Sequence, residues 1–232
     1  MQKILNSKNI YKFVFVTFIL SAIYVSVRIL LVPSTYIAEG AFRVKSEYVM
    51  LLLQCLAGIV ALLVPGILYK KTKLNIPSRM LLIFALFLYC SIYLGDIRSF
   101  YYRVPHWDTV LHTFSGIALG ALGFSVISLL HKSAKVQMSL SPALMAMFAF
   151  CFAVSLGVIW EIYEFTLDYL LNSDMQQYLD PLTKQPLVGQ AALIDTMKDL
   201  IVDTIGAFAI SIIGYISLKY KKGWLDKFLV KL

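Results

Sequence analysis

Charge is scarce in this chain: Asp, Glu, Lys and Arg make up 15% of its 232 residues, while 59% are hydrophobic. The mean hydropathy is +0.77. That balance excludes an ordinary soluble domain and leaves no room for a sizeable one beside membrane helices. Cysteine is scarcer still. Cys55, Cys90 and Cys151 fall inside apolar runs, with no paired or metal-type spacing, so they read as small packing residues without a disulfide framework. Internal repeats and low-complexity tracts are missing. So are a nucleophile motif and a Gly-rich phosphate loop, and no motif fixes a reaction type. The formal charge of +8 does not point to nucleic acid, because the basic residues form short clusters between apolar runs. Anionic lipid headgroups suit that distribution better.

What the chain does have is apolar length. A helix crosses a bilayer with about 20 apolar residues. Six stretches qualify: 11–32, 47–69, 78–98, 107–130, 142–167 and 199–218. The expected fold is all-α, a polytopic membrane helix bundle forming one integral domain over 1–232. The first stretch follows Lys3, Lys8 and Lys12 but is too long for a signal h-region, so it is read as an anchor. The one long connection, 168–198, carries Pro181, Pro186 and Gly189 and is expected to fold over the membrane face.

Basic residues set the orientation. With both termini cytoplasmic, fourteen Lys and Arg lie inside and six outside (Arg43, Lys45, Arg98, Arg103, Lys184, Lys198), with Arg28 near the outer end of the first helix. The thirteen acids run the other way, and only Asp226 falls inside. Acids contribute little to the orientation rule itself. Their concentration at the outer ends is therefore read as a site.

The fourth span opens PHWDTVLHTFSG, where Asp108 and His112 share a face and Ser115 and Gly116 lie one turn deeper. The fifth ends VIWEIYEFTLDYL, aligning Glu161, Glu164 and Asp168. The last opens DTMKDLIVDTIG, stacking Asp195, Asp199 and Asp203 at intervals of four. Seven carboxylates and one imidazole thus face the same depth, with Asp96 available from the third span. So many like charges cannot all ionise at close quarters without cations between them. The cation is a metal, shared protons, or arginines such as Arg28, Arg98 and Arg103. As metal ligands the sequence offers Asp108, His112, Glu161, Glu164, Asp195, Asp199 and Asp203. Oxygen-rich ligation with one histidine favours Mg, Mn, Ca or Fe over Zn, which usually takes more nitrogen or sulfur. Glu161, Glu164 and His112 are the candidate catalytic groups, with a carboxylate as proton acceptor beside a metal-polarised phosphoryl oxygen or activated water.

Plainer roles stand beside these. Asp195 and Asp108 suit helix N-termini through the macrodipole alone, and His112 could be a buried, hydrogen-bonded histidine. Asp168, Asp174 and Asp180 read as solvated loop charges. Glu161 and Glu164 resist the plain account, because the dipole disfavours acids at a helix C-terminal end. Gly116, Gly120 and Gly123 are explained by close helix packing. The segment SFYYRVPHW reads as an interfacial aromatic belt turning at Pro105.

The strings GDIRSFYYRVPHWDTVLHTFSG, WEIYEF and DTMKDLIVDTIGA resemble the YjdF-like group of uncharacterised bacterial inner-membrane proteins, over about 95–210. That likeness implies a multi-pass protein of the bacterial inner membrane with no assigned activity. A more distant resemblance is to VanZ-like membrane proteins, linked to glycopeptide-antibiotic resistance. Asp108 and His112 match their Asp/His pair, Glu161 the later glutamate, and Asp199 and Gly206 the final series. This chain departs where Glu164 replaces a typical glutamine and Asp203 a typical asparagine, which adds acid.

Three functions fit these residues: a metal-dependent enzyme acting on envelope lipid or polyprenyl-phosphate headgroups, a cation- or proton-coupled transporter, or a non-catalytic envelope or partner protein. The expected partner is the bilayer, with lipid as substrate and no nucleic acid; the sequence names no oligomeric state. The inner stretches GALGFSVISLL and AMFAFCFAVSL hold no ionisable group, which weighs against a relay.

Overall fold

The computed structural model describes residues 2–32, 34, 43–133, 140–226 and 228–230, the side chains of 2–8 and 132–133 excepted. Lys135, Lys227 and Lys231, counted above for orientation, lie outside the described residues. The order is α1 (Gln2–Leu31), α2 (Lys45–Thr72), α3 (Ser78–Leu88, running on as a π-helix over Tyr89–Ile97), α4 (Phe100–Arg103), α5 (Trp107–Ser133), α6 (Pro142–Leu171) and α7 (Ile194–Lys219). A 3₁₀ turn over Gly189–Leu193 leads into α7. Among the described residues, six helical spans are long and apolar enough to cross a membrane.

Local chemistry sets the helix ends. Ser141 caps α6 by accepting from the Leu144 N–H at 3.2 Å, and Pro142 follows where a missing N–H costs nothing. Asn172 then closes α6 in the left-handed region. Lys73 does the same for α2, donating its N–H to the Tyr69 carbonyl. Both α6 and α7 run further into the connection than the apolar pattern indicates, to Leu171 and from Ile194. Asp168, read as a solvated charge, is a buried helical residue. The loop itself supplies its hydrogen-bond donors, so the polar end of α6 can stay helical.

Two packed halves result. Phe18 and Val14 of α1 meet Leu62 of α2 and Ala85 of α3, and Val25 meets Tyr48 and Leu51 nearer the other end. Helices α5, α6 and α7 pack on one another, with Phe124 and Ala149 in their core. The outward faces are apolar: Leu30 is 82% exposed and Tyr169 79%. Helices with satisfied backbones and greasy exteriors are what hydrocarbon solvent demands.

At the end of the bundle away from the carboxylates, residues 223–226 and 228–230 fold back against α5. Leu225 and Val230 are buried there. The fully buried Ser125 hydroxyl donates to the Phe228 carbonyl at 2.8 Å and accepts from the Val230 N–H at 3.3 Å. The π-helix serves the opposite end. Its wide turn presents the Cys90 carbonyl to Trp107 Nε1 at 3.3 Å, which ties the start of α5 to the first half.

Candidate functional site

The site is built where α5 and α7 touch backbone to backbone. A Cβ on Gly116 of α5 would run into the Asp203 carbonyl, and one on Gly206 of α7 into the Thr113 carbonyl. Two glycines facing each other thus let the helices approach closely enough for their polar side chains to meet. His112 Nδ1 lies 3.2 Å from Asp203 Oδ2. Ser115 Oγ donates to Asp203 Oδ1 at 2.5 Å. With Nδ1 held by a carboxylate, the imidazole turns Nε2 toward Asp108, whose Oδ1 is 3.7 Å away.

Asp108, His112 and Asp199 each offer a ligand atom, and these atoms lie within 4.8 Å of one another. One ion with ligand distances of about 2.0–2.6 Å can span such a group. Asp203, expected among the ligands, instead uses both oxygens on His112 and Ser115, behind the imidazole. A carboxylate in that position fixes the ring of a metal-binding histidine. Asp195 accepts from Gln177 Nε2 at 3.1 Å and pairs with Lys198 Nζ at 3.8 Å. Lys198 also stands 4.0 Å from Asp108 Oδ2.

From α6 come Glu161 and Glu164, both buried. Gly157, one turn back, leaves room for Asp203: a Cβ there would sit 3.0 Å from its Oδ2. Trp160 Nε1 donates to Glu164 Oε1 at 2.8 Å, which offsets the helix-end position that disfavours an acid. Glu161 has no such support. It is 5% exposed, with the Thr196 hydroxyl as its nearest polar neighbour and no well-formed hydrogen bond on either oxygen among the described residues. Asp199 is 1% exposed with Oδ1 unpartnered, and Asp108 Oδ2 accepts no hydrogen bond either. Six carboxylates therefore meet the cationic Lys198 and the basic His112. Burying ions without compensation costs several kcal/mol each, so this excess calls for a bound cation or for protons shared among the carboxylates.

The loop between α6 and α7 closes over this end. Asp168 Oδ1 accepts from Ser173 Oγ at 2.6 Å and the Met175 N–H at 2.8 Å, and its Oδ2 accepts from the Gln176 N–H at 2.9 Å. Gln176 Nε2 continues to Thr196 Oγ1 on α7 at 2.7 Å. An antiparallel bridge between Leu179 and Pro186 stiffens the tip. Burial pushes the Asp174 carboxyl up to about 6, against the N–H of Leu179 and the charge of Lys184. Asp180 goes the other way, held below the usual carboxylate range by the Thr183 N–H and hydroxyl and the Leu182 N–H.

Between the two halves runs a cavity of about 1330 Å³. Asp108, His112, Ser115, Glu164 and Asp203 line its polar end; Glu161 and Asp199 stand behind that wall. Arg43 and Lys184 also line this end. Arg43 Nη2 donates to the Asp96 carbonyl and to Ser99 Oγ at 3.0 Å, and Lys184 Nζ lies 5.8 Å from the Tyr102 ring centroid. Toward the other end the walls become apolar, closing on Trp224, Leu225 and Phe228 of the folded-back tail.

The sequence-level compensators do not reach the cluster. Arg28 donates to the Tyr48 hydroxyl at 3.2 Å, while Arg98 and Arg103 are exposed. Lys198, counted only for orientation, is the cation in contact; its i,i+3 spacing from Asp195 was the available signal. Trp160 gave a weaker one, lying four residues before Glu164 on the same face, and Ser115, one turn beyond His112, gave none for its partner on α7.

Fold and site together define a polytopic helical membrane protein with a buried carboxylate–histidine cluster at one end of its bundle. The chain belongs to the family described as "Predicted membrane protein (DUF2238)", which matches residues 11–220. An uncharacterised protein of Thermotoga maritima is 28% identical over 152 residues, covering 65% of this chain and 69% of that relative. No solved structure matches the chain.

Proposed function

We propose that this protein is a metal-dependent enzyme of the bacterial inner membrane that acts on a phosphate or ester at a lipid headgroup. Asp108, His112 and Asp199 hold a divalent cation of the Mg, Mn, Ca, Fe or Zn group, and Asp203 orients the imidazole. The observation that carries the reading is the convergence of those three ligand atoms within 4.8 Å, beside buried oxygens of Asp108 and Asp199 that accept no hydrogen bond among the described residues, with Lys198 Nζ 4.0 Å from Asp108 Oδ2. A divalent ion there supplies Lewis acidity to a phosphoryl or ester oxygen. Glu164, which lines the cavity, is the proton acceptor, and Glu161 stands behind it as a further buried carboxylate. Lys70, Lys71, Arg79, Lys219 and Lys222 cluster by sequence at the opposite end, which supports a cytoplasmic placement of both termini and an outer-leaflet site. The distant VanZ-like likeness of Asp108, His112, Glu161, Asp199 and Gly206 points the same way.

Against a relay stands the apolar lining of the cavity beyond Asp203, through Ile210 and Ile213 to Phe228. The test is elemental analysis of the detergent-purified full chain by ICP-MS. Near-stoichiometric divalent metal in the wild type, lost in His112→Ala and Asp199→Asn, is the expected result. Equal metal content in all three sinks the proposal.

A further inference from the structure

Lys198 stands between one proposed metal ligand and one acid outside the ligand group. Its Nζ lies 4.0 Å from Asp108 Oδ2 and 3.8 Å from Asp195 Oδ1. Among the described residues it is the only lysine or arginine in an ion pair with the cluster's carboxylates. Both distances exceed hydrogen-bond reach, so attraction without a directed bond holds the ammonium there. The Lys198 side chain is 40% exposed, whereas its sequence neighbour Asp199 is 1% exposed. Side chains of an α-helix lean toward its N-terminus. Since α7 begins at the loop, the lysine stem leans out of the cluster toward that end. Asp195, one turn back on α7, is fixed by Gln177 Nε2 at 3.1 Å and lies outside the three-residue ligand group. Lys198 therefore has a second partner to keep when it gives up the first.

A divalent ion and this ammonium compete for the same carboxylate. Asp108 supplies one of the three converging ligand atoms, and its Oδ2 is buried without a hydrogen bond among the described residues. The buried Asp199 brings another such oxygen, Oδ1, from α7. An ion seated among Asp108, His112 and Asp199 would stand beside Nζ, and like charges in a partly dehydrated site repel strongly. We propose that Lys198 is the built-in counter-ion of the metal-free site: it neutralises Asp108 until a divalent cation arrives, then withdraws to Asp195, and so sets how tightly the site holds its metal. This rests on the metal reading above and adds to it a positioning residue that acts through Asp108. The coupling is reciprocal, because whatever Lys198 takes from the affinity for metal, the metal takes from the lysine's hold on Asp108.

The experiment is Mn²⁺ binding to the detergent-purified full chain, read from the EPR signal of free Mn²⁺. Lys198→Gln is expected to bind Mn²⁺ about tenfold more tightly than wild type, and Lys198→Arg to stay within about twofold of it. A lysine that only braces the helix ends gives the opposite sign, because its loss would loosen Asp108. A second readout leaves the lysine in place: acetylation of Lys198 by an activated ester, followed by peptide mass spectrometry against the exposed Lys71. Saturating Mn²⁺ is expected to speed that acetylation at least about threefold, and His112→Ala to abolish the effect. Equal or weaker Mn²⁺ binding by Lys198→Gln overturns the inference and leaves the metal site standing, as does acetylation that Mn²⁺ slows or leaves unchanged. Failure of both wild type and Lys198→Gln to bind Mn²⁺ removes the metal reading and this inference with it. If Lys198→Gln fails to fold, the acetylation readout decides alone.

Discussion

His112 on α5 and Asp203 on α7, 91 residues apart in sequence, meet with Nδ1 and Oδ2 3.2 Å from each other. This contact joins the two helices that carry the candidate ligands and decides which ring nitrogen faces Asp108 and Asp199. Replacing Asp203 by Ala frees the imidazole to rotate and strands the Ser115 hydroxyl. Metal affinity, read by competition with a chromogenic chelator, is expected to fall about 10–100-fold, the usual cost of losing such a supporting carboxylate. Unchanged affinity would mean that Asp203 does not support a metal-binding imidazole.

Backbone proximity gives a second expectation. Gly116→Ala and Gly206→Ala each place a methyl group against a carbonyl oxygen of the neighbouring helix. Overpacking of that kind costs about 1–3 kcal/mol. Gly66 on α2 meets nothing within 4 Å of an added Cβ, so Gly66→Ala is the matched control and is expected to stay within about 0.5 kcal/mol of wild type. Thermal unfolding in detergent distinguishes the three.

Asp168 anchors the loop by three hydrogen bonds that no other group replaces. For Asp168→Ala, hydrogen exchange over 173–187 is expected to accelerate while the α1–α3 half keeps its protection. The local loss is at least about 1.5 kcal/mol, the lower bound for one hydrogen bond to a charged acceptor. Uniform acceleration throughout the chain would instead make Asp168 a global element.

The same loop has an opposed pH dependence. Asp174 in the folded loop keeps its proton up to about pH 6, whereas the unfolded loop releases it near the ordinary carboxylate value of about 3.8. Between those pH values the folded form binds more protons, so loop stability falls as pH rises through the window and is level above it. Asp180, depressed by its turn hydrogen bonds, contributes stability above the ordinary value that is lost as pH falls through its folded pKa. Trypsin cleavage at Lys184, followed from pH 4.5 to 7 with a model peptide correcting for protease activity, is expected to quicken relative to the peptide. Asp174→Asn is expected to flatten that trend. A wild-type profile already flat would contradict the burial assigned to Asp174.

How much of this was legible beforehand follows the physics of each feature. Six spans could be read because hydrocarbon demands length, and length is visible in sequence. The stacking of Asp195, Asp199 and Asp203 was equally visible, since helical spacing is local. Their division of labour was not. Asp203 supports an imidazole while Asp199 keeps one oxygen without a hydrogen bond among the described residues, because Gly116 and Gly206 set the depth at which α5 meets α7, a long-range contact. The ends of α6 and α7 were placed too early and too late because Asp168 looks solvated until the loop N–H groups that bind it are in place. The π-helix at Tyr89–Ile97 follows an apolar pattern no different from its α-helical neighbours. Lys198 went unassigned because a lysine near a membrane end counts toward orientation whether or not it also pairs.

Ser125 receives the returning tail through both its donor and its acceptor, and that embrace has a bearing on labelling. Residues 223–226 and 228–230 act as the floor of the bundle. An epitope or fluorescent reporter substituted for them would unseat the floor and let detergent enter from below. Orientation assays should therefore leave that segment whole.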